Sequence, residues 1–283
     1  MKTHQQTKKM AEGALMIAFA TVLGILPLAQ MPYGGSVTIA SMLPIVLISY
    51  RHGIKWGMGA GFIFGVIQQL LGLSNLSYFT TWQSIVAIVL LDYLVAFSVV
   101  GIAGVFRRFS LLQRDALLLG SLFGSILRYL CHVISGATVW AGLSIPTEAA
   151  LAYSLAYNAT YMVPEAIVLC IASYYLGSML DFGKEEITRL PTVQTASRGA
   201  NILVALAGLV GGGALVFDTV MIFSRMQDAE TGEFNISLLQ VERFAGSFWM
   251  AVVIVTGVAV LAVGVMLAVR RWLLKRAPKM PNT

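Results

Sequence analysis

Few side chains in this chain can carry chemistry, and most of them sit inside runs apolar enough to cross a bilayer. Arg128, His132, Gly136 and Trp140 recur at every fourth position. On a helix they form one slowly drifting stripe with a cation at one end and an aromatic ring at the other. An ionisable group at membrane depth costs on the order of a few kcal/mol or more, so this stripe must face protein and meet partners there. Asp92 stands in another apolar run, and Tyr153, Ser154, Tyr157, Asn158, Tyr161 and Glu165 stand in a third. On a helix those last residues fall within an arc of about 140°, which makes one face polar and aromatic. One acid, one imidazole, one amide and several electron-rich rings suit a flat, cationic, hydrogen-bonding ligand. The acid offsets its charge, and the ring faces add cation-π attraction worth about 2 kcal/mol when desolvated.

Catalytic patterns are missing by comparison. Ser135 lies three residues from His132, but no Gly-x-Ser-x-Gly or His-Glu-x-x-His motif accompanies it, so the chain does not read as an enzyme. It has no Gly-x-x-x-x-Gly-Lys-Ser/Thr loop for ATP, so energy must come from a partner or a gradient. Cys131 and Cys170 lie inside apolar runs with no metal-ligand spacing, and no cofactor or metal site is expected.

The elements that hold these residues follow from composition. With 58% hydrophobic and only 11% charged residues, and a mean hydropathy of +0.80, the chain departs from a soluble globule, whose charged share would be about 25%. Apolar runs of about 20 residues call for helices that satisfy their own backbone in lipid, and the alternation of a β-barrel is not visible. The expected class is an all-α polytopic membrane protein. Spans are expected near 10–30, 36–50, 54–73, 84–106, 115–139, 149–178, 200–223 and 245–269. The second is short and starts from the turn-rich Pro32-Tyr33-Gly34-Gly35-Ser36, which predicts irregular backbone lining a cavity. The apolar run after Lys9 is too long for a secretory signal and lacks a small-residue cleavage site, so it should be retained.

The net charge of +6 does not point to nucleic acid, because the basic residues sit at the ends of apolar runs. Of the 19 Lys and Arg, Arg128 lies within a span and only Arg225 and Arg243 fall on one side of the membrane. The rest share the other side, which predicts a multi-pass protein of the cell membrane with both termini cytoplasmic. The polar stretch 184–198 reads as a cytoplasmic linker between a six-helix substrate-binding domain at 1–183 and a transmembrane helix pair at 199–283, whose only acid at depth is Asp218.

A rise of about 1.5 Å per residue places Asp92, His132 and Asn158 roughly 12–13 Å below the outer ends of their helices, at one level. Arg128 and Glu165 lie deeper, about 18 and 24 Å down, and are expected to pair. Trp140, Trp82 and Tyr33 fall at the outer rim. Structural roles compete with these readings: Asp92 could pair with Arg128, the tryptophans could be interfacial belt residues, and the tyrosine stripe could be helix packing.

Five separated motifs, in order, resemble one family. They are Pro32-Tyr33-Gly34-Gly35-Ser36-Val37-Thr38, Leu91-Asp92-Tyr93, Arg128-Tyr129, His132-Val133-Ile134-Ser135-Gly136 with Trp140, and Tyr157-Asn158-Ala159-Thr160-Tyr161-Met162-Val163-Pro164-Glu165. Over residues 10 to 182 the chain resembles the thiamine-binding S component of energy-coupling factor (ECF) transporters, the ThiT or YuaJ family. The resemblance implies a six-helix bundle that captures thiamine outside, and a module of two ATPases and a transmembrane coupling protein that energises uptake. The helix pair after residue 199 is an extension beyond that bundle. The resemblance also implies a binding site made of Tyr33, Asp92, Tyr93, His132, Gly136, Trp140, Tyr153 and Asn158. Here Asp92 and Tyr33 stand where the family often has Glu and Trp. Ala14 and Ala18 form a small-xxx-small pattern that lets another helix approach, and the resemblance gives them the docking of the coupling protein. The alternative is a solitary carrier in which Asp92, His132 or Glu165 relays protons. Thiamine, its phosphates and its pyrimidine precursor are all compatible with these residues.

Overall fold

The computed structural model describes residues 2–30, 35–141, 150–190, 198–226 and 246–276. These residues fall into two compact units, one holding those up to Leu190 and the other those from Arg198 onward.

The first unit opens with α1 (Lys2–Ile25), followed by a hairpin of β1 (Pro27–Gln30) and β2 (Ser36–Thr38), then α2 (Leu43–His52) and α3 (Ile54–Leu71). A 3-10 segment, Leu73–Tyr78, leads to α4 (Trp82–Arg108), α5 (Gln113–Thr138) and α6 (Ala150–Met179). A short clasp, β3 (Leu180–Asp181) against β4 (Thr188–Arg189), closes the unit. The second unit holds α7 (Arg198–Met226) and α8 (Ser247–Arg276), joined at depth by a hydrogen bond of 2.7 Å from the Thr256 hydroxyl to Asp218 Oδ2. Among the described residues, Trp82–Arg108, Gln113–Thr138, Ala150–Met179 and Ser247–Leu273 are long and apolar enough to cross a membrane on length and composition alone.

The expected second span is corrected. Residues 36–38 are a strand and the helix begins only at Leu43, with Pro44 in its first turn, where a missing N–H costs nothing. The β-branched Val37 and Thr38 fit a strand, and pairing Pro27 with Thr38 and Gln30 with Ser36 satisfies backbone that lipid could not. The first helix correspondingly ends at Ile25 rather than near residue 30. Gly53, at φ +95°, makes the turn between α2 and α3 in a conformation that favours glycine.

Close packing of α3 on α4 comes from Gly57, Gly61 and Gly65. A Cβ at Gly65 would stand 2.6 Å from the Tyr93 carbonyl oxygen and one at Gly57 2.6 Å from that of Gly101; at Gly61 it would collide with the carbonyl of Phe97. Glycine at every fourth residue of α3 thus meets backbone at every fourth residue of α4. That fixes the height of Tyr93 and its neighbour Asp92. Ser49 locks the same region from α2: its hydroxyl bonds the Gly101 carbonyl and accepts the Gly104 N–H at 2.9 Å.

At the other end of the bundle Arg51 gathers three segments. It pairs with Glu12 of α1 and donates to the carbonyls of Phe182 (3.1 Å), Lys184 (3.0 Å) and Glu185 (3.2 Å). His52 Nε2 lies 3.0 Å from the same Glu12. Gln113 holds the clasp from α5, accepting the Phe182 N–H at 2.7 Å and donating to the Gly177 carbonyl at 3.0 Å.

Gly61→Ala is expected to lower the thermal unfolding midpoint in detergent, with an overpacking cost of about 1–3 kcal/mol. Gly59→Ala, on the same helix with open space around its Cβ position, should leave it unchanged or raise it. Equal midpoints for wild type and Gly61→Ala would show that the backbone approach is dispensable.

Candidate functional site

The first unit holds a half-open cavity of about 540 Å³, within the range of small-molecule sites. α4 supplies Asp92, Tyr93 and Phe97. α5 and the turn after it supply Arg128, His132, Gly136 and Trp140, and α6 supplies Tyr157, Asn158 and Tyr161. The remaining wall comes from the end of α1, the hairpin (Pro27, Gly35, Ser36), the end of α3 (Gln68, Leu71) and the 3-10 segment (Ser74, Asn75).

Asp92 is the centre of this arrangement. The backbone of α4 widens to π geometry over Val89–Val95, a local departure that recurs at functional sites, and Asp92 lies in its middle. The Trp140 indole N–H donates to Asp92 Oδ2 at 3.0 Å, and His132 Nδ1 lies 3.1 Å from Asp92 Oδ1. That second approach is off the hydrogen-bond line, so Oδ1 has no hydrogen-bond partner among the described residues. His132 Nε2 and Arg128 Nε are likewise buried without partners. Each unmade bond of this kind costs about 1–3 kcal/mol.

Trp140 is buried rather than at the rim. α5 ends at Thr138, and the Trp140 N–H bonds back to the Ser135 carbonyl at 3.2 Å, folding the indole inward. Phe79 packs edge-on against it at 4.8 Å between ring centroids. Asn158 is fixed on three sides: it donates to the Ser154 carbonyl (2.9 Å) and the His132 carbonyl (3.3 Å), and accepts the Tyr161 hydroxyl at 2.6 Å. Gly35, at φ +86°, lies against the Tyr161 ring, where a Cβ would come within 2.8 Å. Tyr93 is held through its hydroxyl, which accepts the Asn75 amide at 3.1 Å.

Beneath the cavity Arg128 and Glu165 form the buried ion pair that depth arithmetic anticipates, and the Thr38 hydroxyl donates to Glu165 at 2.6 Å. The Arg128 guanidinium also stacks over Phe97 at 4.7 Å. Arg128 is therefore engaged by Glu165, not by Asp92, and among the described residues no arginine pairs with Asp92.

Of the residues singled out from sequence, Asp92, Tyr93, His132, Gly136, Trp140 and Asn158 line this one cavity. Tyr153 does not; it is 54% exposed. Tyr33 lies outside the described residues. Ala14 and Ala18 line a separate apolar groove on the outside of the bundle. Sequence reasoning passed over Gln68, Ser74 and Asn75. Ser74 and Asn75 have a signal in the polar Leu73-Ser74-Asn75-Leu76-Ser77-Tyr78 stretch after Gly72, whereas Gln68, inside the apolar run of α3, has none beyond its own amide.

A helical, multi-pass membrane chain with a polar and aromatic cavity inside its bundle is built to hold a small solute. Comparison with known proteins makes this specific. The family model described as "Thiamine transporter protein (Thia_YuaJ)" matches residues 10–182. "Thiamine transporter ThiT" of Bacillus subtilis (strain 168) is 40% identical over 186 residues, covering 60% of this chain and 93% of that protein. "Thiamine transporter ThiT" of Lacticaseibacillus paracasei is 26% identical over 174 residues, covering 56% and 81%. A solved structure of ThiT from Listeria monocytogenes aligns over 61% of this chain and 94% of its own, with 23% identity and a TM-score of 0.49. The chain belongs to the Thia_YuaJ family of thiamine transporters, whose activity is transport and not catalysis.

Glu165→Leu leaves Arg128 buried without its acid, at a cost of about 3–5 kcal/mol, and should lower the unfolding midpoint sharply. The double variant Arg128→Met/Glu165→Leu should recover most of that loss, because it removes both charges. A single variant as stable as wild type in detergent would mean the pair does not hold the floor of the cavity.

Proposed function

We propose that this chain takes up thiamine across the cytoplasmic membrane, binding it from outside as the S component of an ECF transporter. The observation that carries this reading is Asp92, an acid in the cavity wall held between an indole and an imidazole and unmatched by arginine. The thiazolium of thiamine brings the positive charge such an acid offsets, and its aminopyrimidine brings donors and acceptors for Asp92, His132 and Asn158. Tyr93, Gly136 and Trp140 flank the rings, and we assign Tyr33 to the outer side of the same ligand.

Energy is assigned to an ECF module of two ATPases and a transmembrane coupling protein, since the chain carries no phosphate-binding loop of its own. The coupling protein docks on α1 at Ala14 and Ala18, whose small side chains let a helix approach closely. In this reading both termini are cytoplasmic, residues 1–183 are the binding domain, 184–198 a linker, and the helix pair in 199–283 an accessory.

Purified protein should bind thiamine without ATP or a partner and show quenched tryptophan fluorescence. Asp92→Asn should weaken binding about 10–100-fold, the worth of one charge-assisted hydrogen bond. Calorimetry giving no heat with thiamine, but heat with riboflavin or biotin, would end this reading.

Ala14→Trp should leave thiamine affinity intact and abolish uptake in cells, and a chain ending at Thr188 should still bind. Wild-type uptake by Ala14→Trp would favour the solitary proton-coupled carrier. A folded truncation that binds nothing would extend the site beyond residue 188.

A further inference from the structure

Among the described residues, every ligand contact assigned above comes from α4, from α5 and the turn after it, or from α6. The cavity has another side. Gln68, Gly72, Ser74 and Asn75 line it from the end of α3 and the 3-10 segment, with Gly24 and Ile25 of α1. None of these residues carries a charge, in contrast to the wall that holds Asp92 and Arg128. Gln68 stands out among them: its amide Nε2 is buried and has no hydrogen-bond partner among the described residues. The end of α1 comes so close there that a Cβ on Gly24 would stand 2.7 Å from this nitrogen, so glycine leaves the amide its room. One turn further along α3, a Cβ on Gly72 would stand 3.2 Å from the Gln68 carbonyl oxygen and 2.7 Å from the Tyr93 hydroxyl. Gln68 and Tyr93 therefore share one patch, and Tyr93 follows Asp92 in α4. The patch continues the wall that carries the acid.

An amide nitrogen can only donate, and a buried donor left unpaired is costly, so Gln68 calls for an acceptor. No cation on this side favours a charged one, which leaves a neutral oxygen. This inference rests on the thiamine reading. There Asp92, His132 and Asn158 meet the thiazolium charge and the aminopyrimidine, and the polar group of the ligand that remains is the hydroxyl of its hydroxyethyl tail. We propose that Gln68 is a specificity-determining residue, whose amide donates to that hydroxyl, so that the α3 side of the cavity selects an uncharged, hydroxyl-bearing tail. A ligand ending in a methyl group instead leaves the Gln68 donor unpaired. Sites built to hydrogen-bond a hydroxyl reject analogues lacking it in this way. Asn75 supports the patch from the 3-10 segment, since its amide holds the Tyr93 hydroxyl at 3.1 Å beside Gly72.

Titration calorimetry of the full chain in detergent, with thiamine and with the analogue that carries ethyl in place of hydroxyethyl, tests this. Wild type is expected to bind the analogue about tenfold more weakly, the worth of one neutral hydrogen bond. Gln68→Met keeps the length of the side chain and removes the donor. It should bind thiamine about tenfold more weakly than wild type and treat the two ligands alike, and Gln68→Leu should do the same. Asp92→Asn should weaken both ligands by the same factor and keep the tenfold preference. Equal binding of the two ligands by wild type, which needs no variant to fold, would overturn the proposal and leave the thiamine reading standing. So would a preference for thiamine that survives in Gln68→Met or Gln68→Leu, the result a merely structural glutamine gives. Binding of neither ligand by folded wild type would overturn the thiamine reading and this proposal with it.

Discussion

A cation and an acid that cannot be separated set the terms for the cavity above them. Arg128 on α5 and Glu165 on α6 are both buried, and taking either away leaves the other charged in a medium that solvates it poorly. The pair also recruits its surroundings. Thr38 of the hairpin donates to the acid and Phe97 of α4 lies under the guanidinium, so four elements meet at one point. The hairpin is held at depth because its threonine satisfies the second oxygen of a carboxylate, and its backbone satisfies itself by strand pairing. The cavity floor is therefore polar yet closed.

The wall carrying Asp92 depends on a different constraint, which is steric. Glycines on α3 bring its backbone against the carbonyls of α4, and an approach that close admits no side chain between. A helix gripped along its length in this way can widen locally without moving, and the π geometry at Val89–Val95 occurs where the grip ends at Gly65 and Tyr93. Rigid support on one side and an unmade hydrogen bond on the other are what a preorganised binding group requires.

Much of this was legible in the sequence, because a helix advances by a fixed rise. Counting residues from span ends put Asp92, His132 and Asn158 at one level, and these residues do meet: His132 lies against Asp92 and Asn158 bonds the His132 carbonyl. The need of a buried charge for its opposite paired Arg128 with Glu165. Rotation was less legible than depth. An arc of about 140° on α6 is wide enough to include Tyr153, whose ring faces outward, along with Asn158, whose amide faces in. The hairpin escaped because two strands of four and three residues carry little periodicity, and their pairing is set by residues far from either. The inward turn of Trp140 follows from one backbone hydrogen bond past the helix end, which counting residues along a helix does not capture. The π widening leaves no mark on composition at all.

The clasp between β3 and β4, with Gln113 and Arg51 holding the backbone between residues 177 and 185, has a consequence for how such a chain can grow. The polypeptide leaves the six-helix unit from a point that the unit itself anchors. The Leu190 N–H itself bonds the Met179 carbonyl at 2.9 Å, so the anchoring reaches the last residue of the unit. That anchoring holds the strand end at Arg189 to the same helices that build the cavity. The same property marks the end of this clasp as the natural place to attach a reporter or an immobilisation tag.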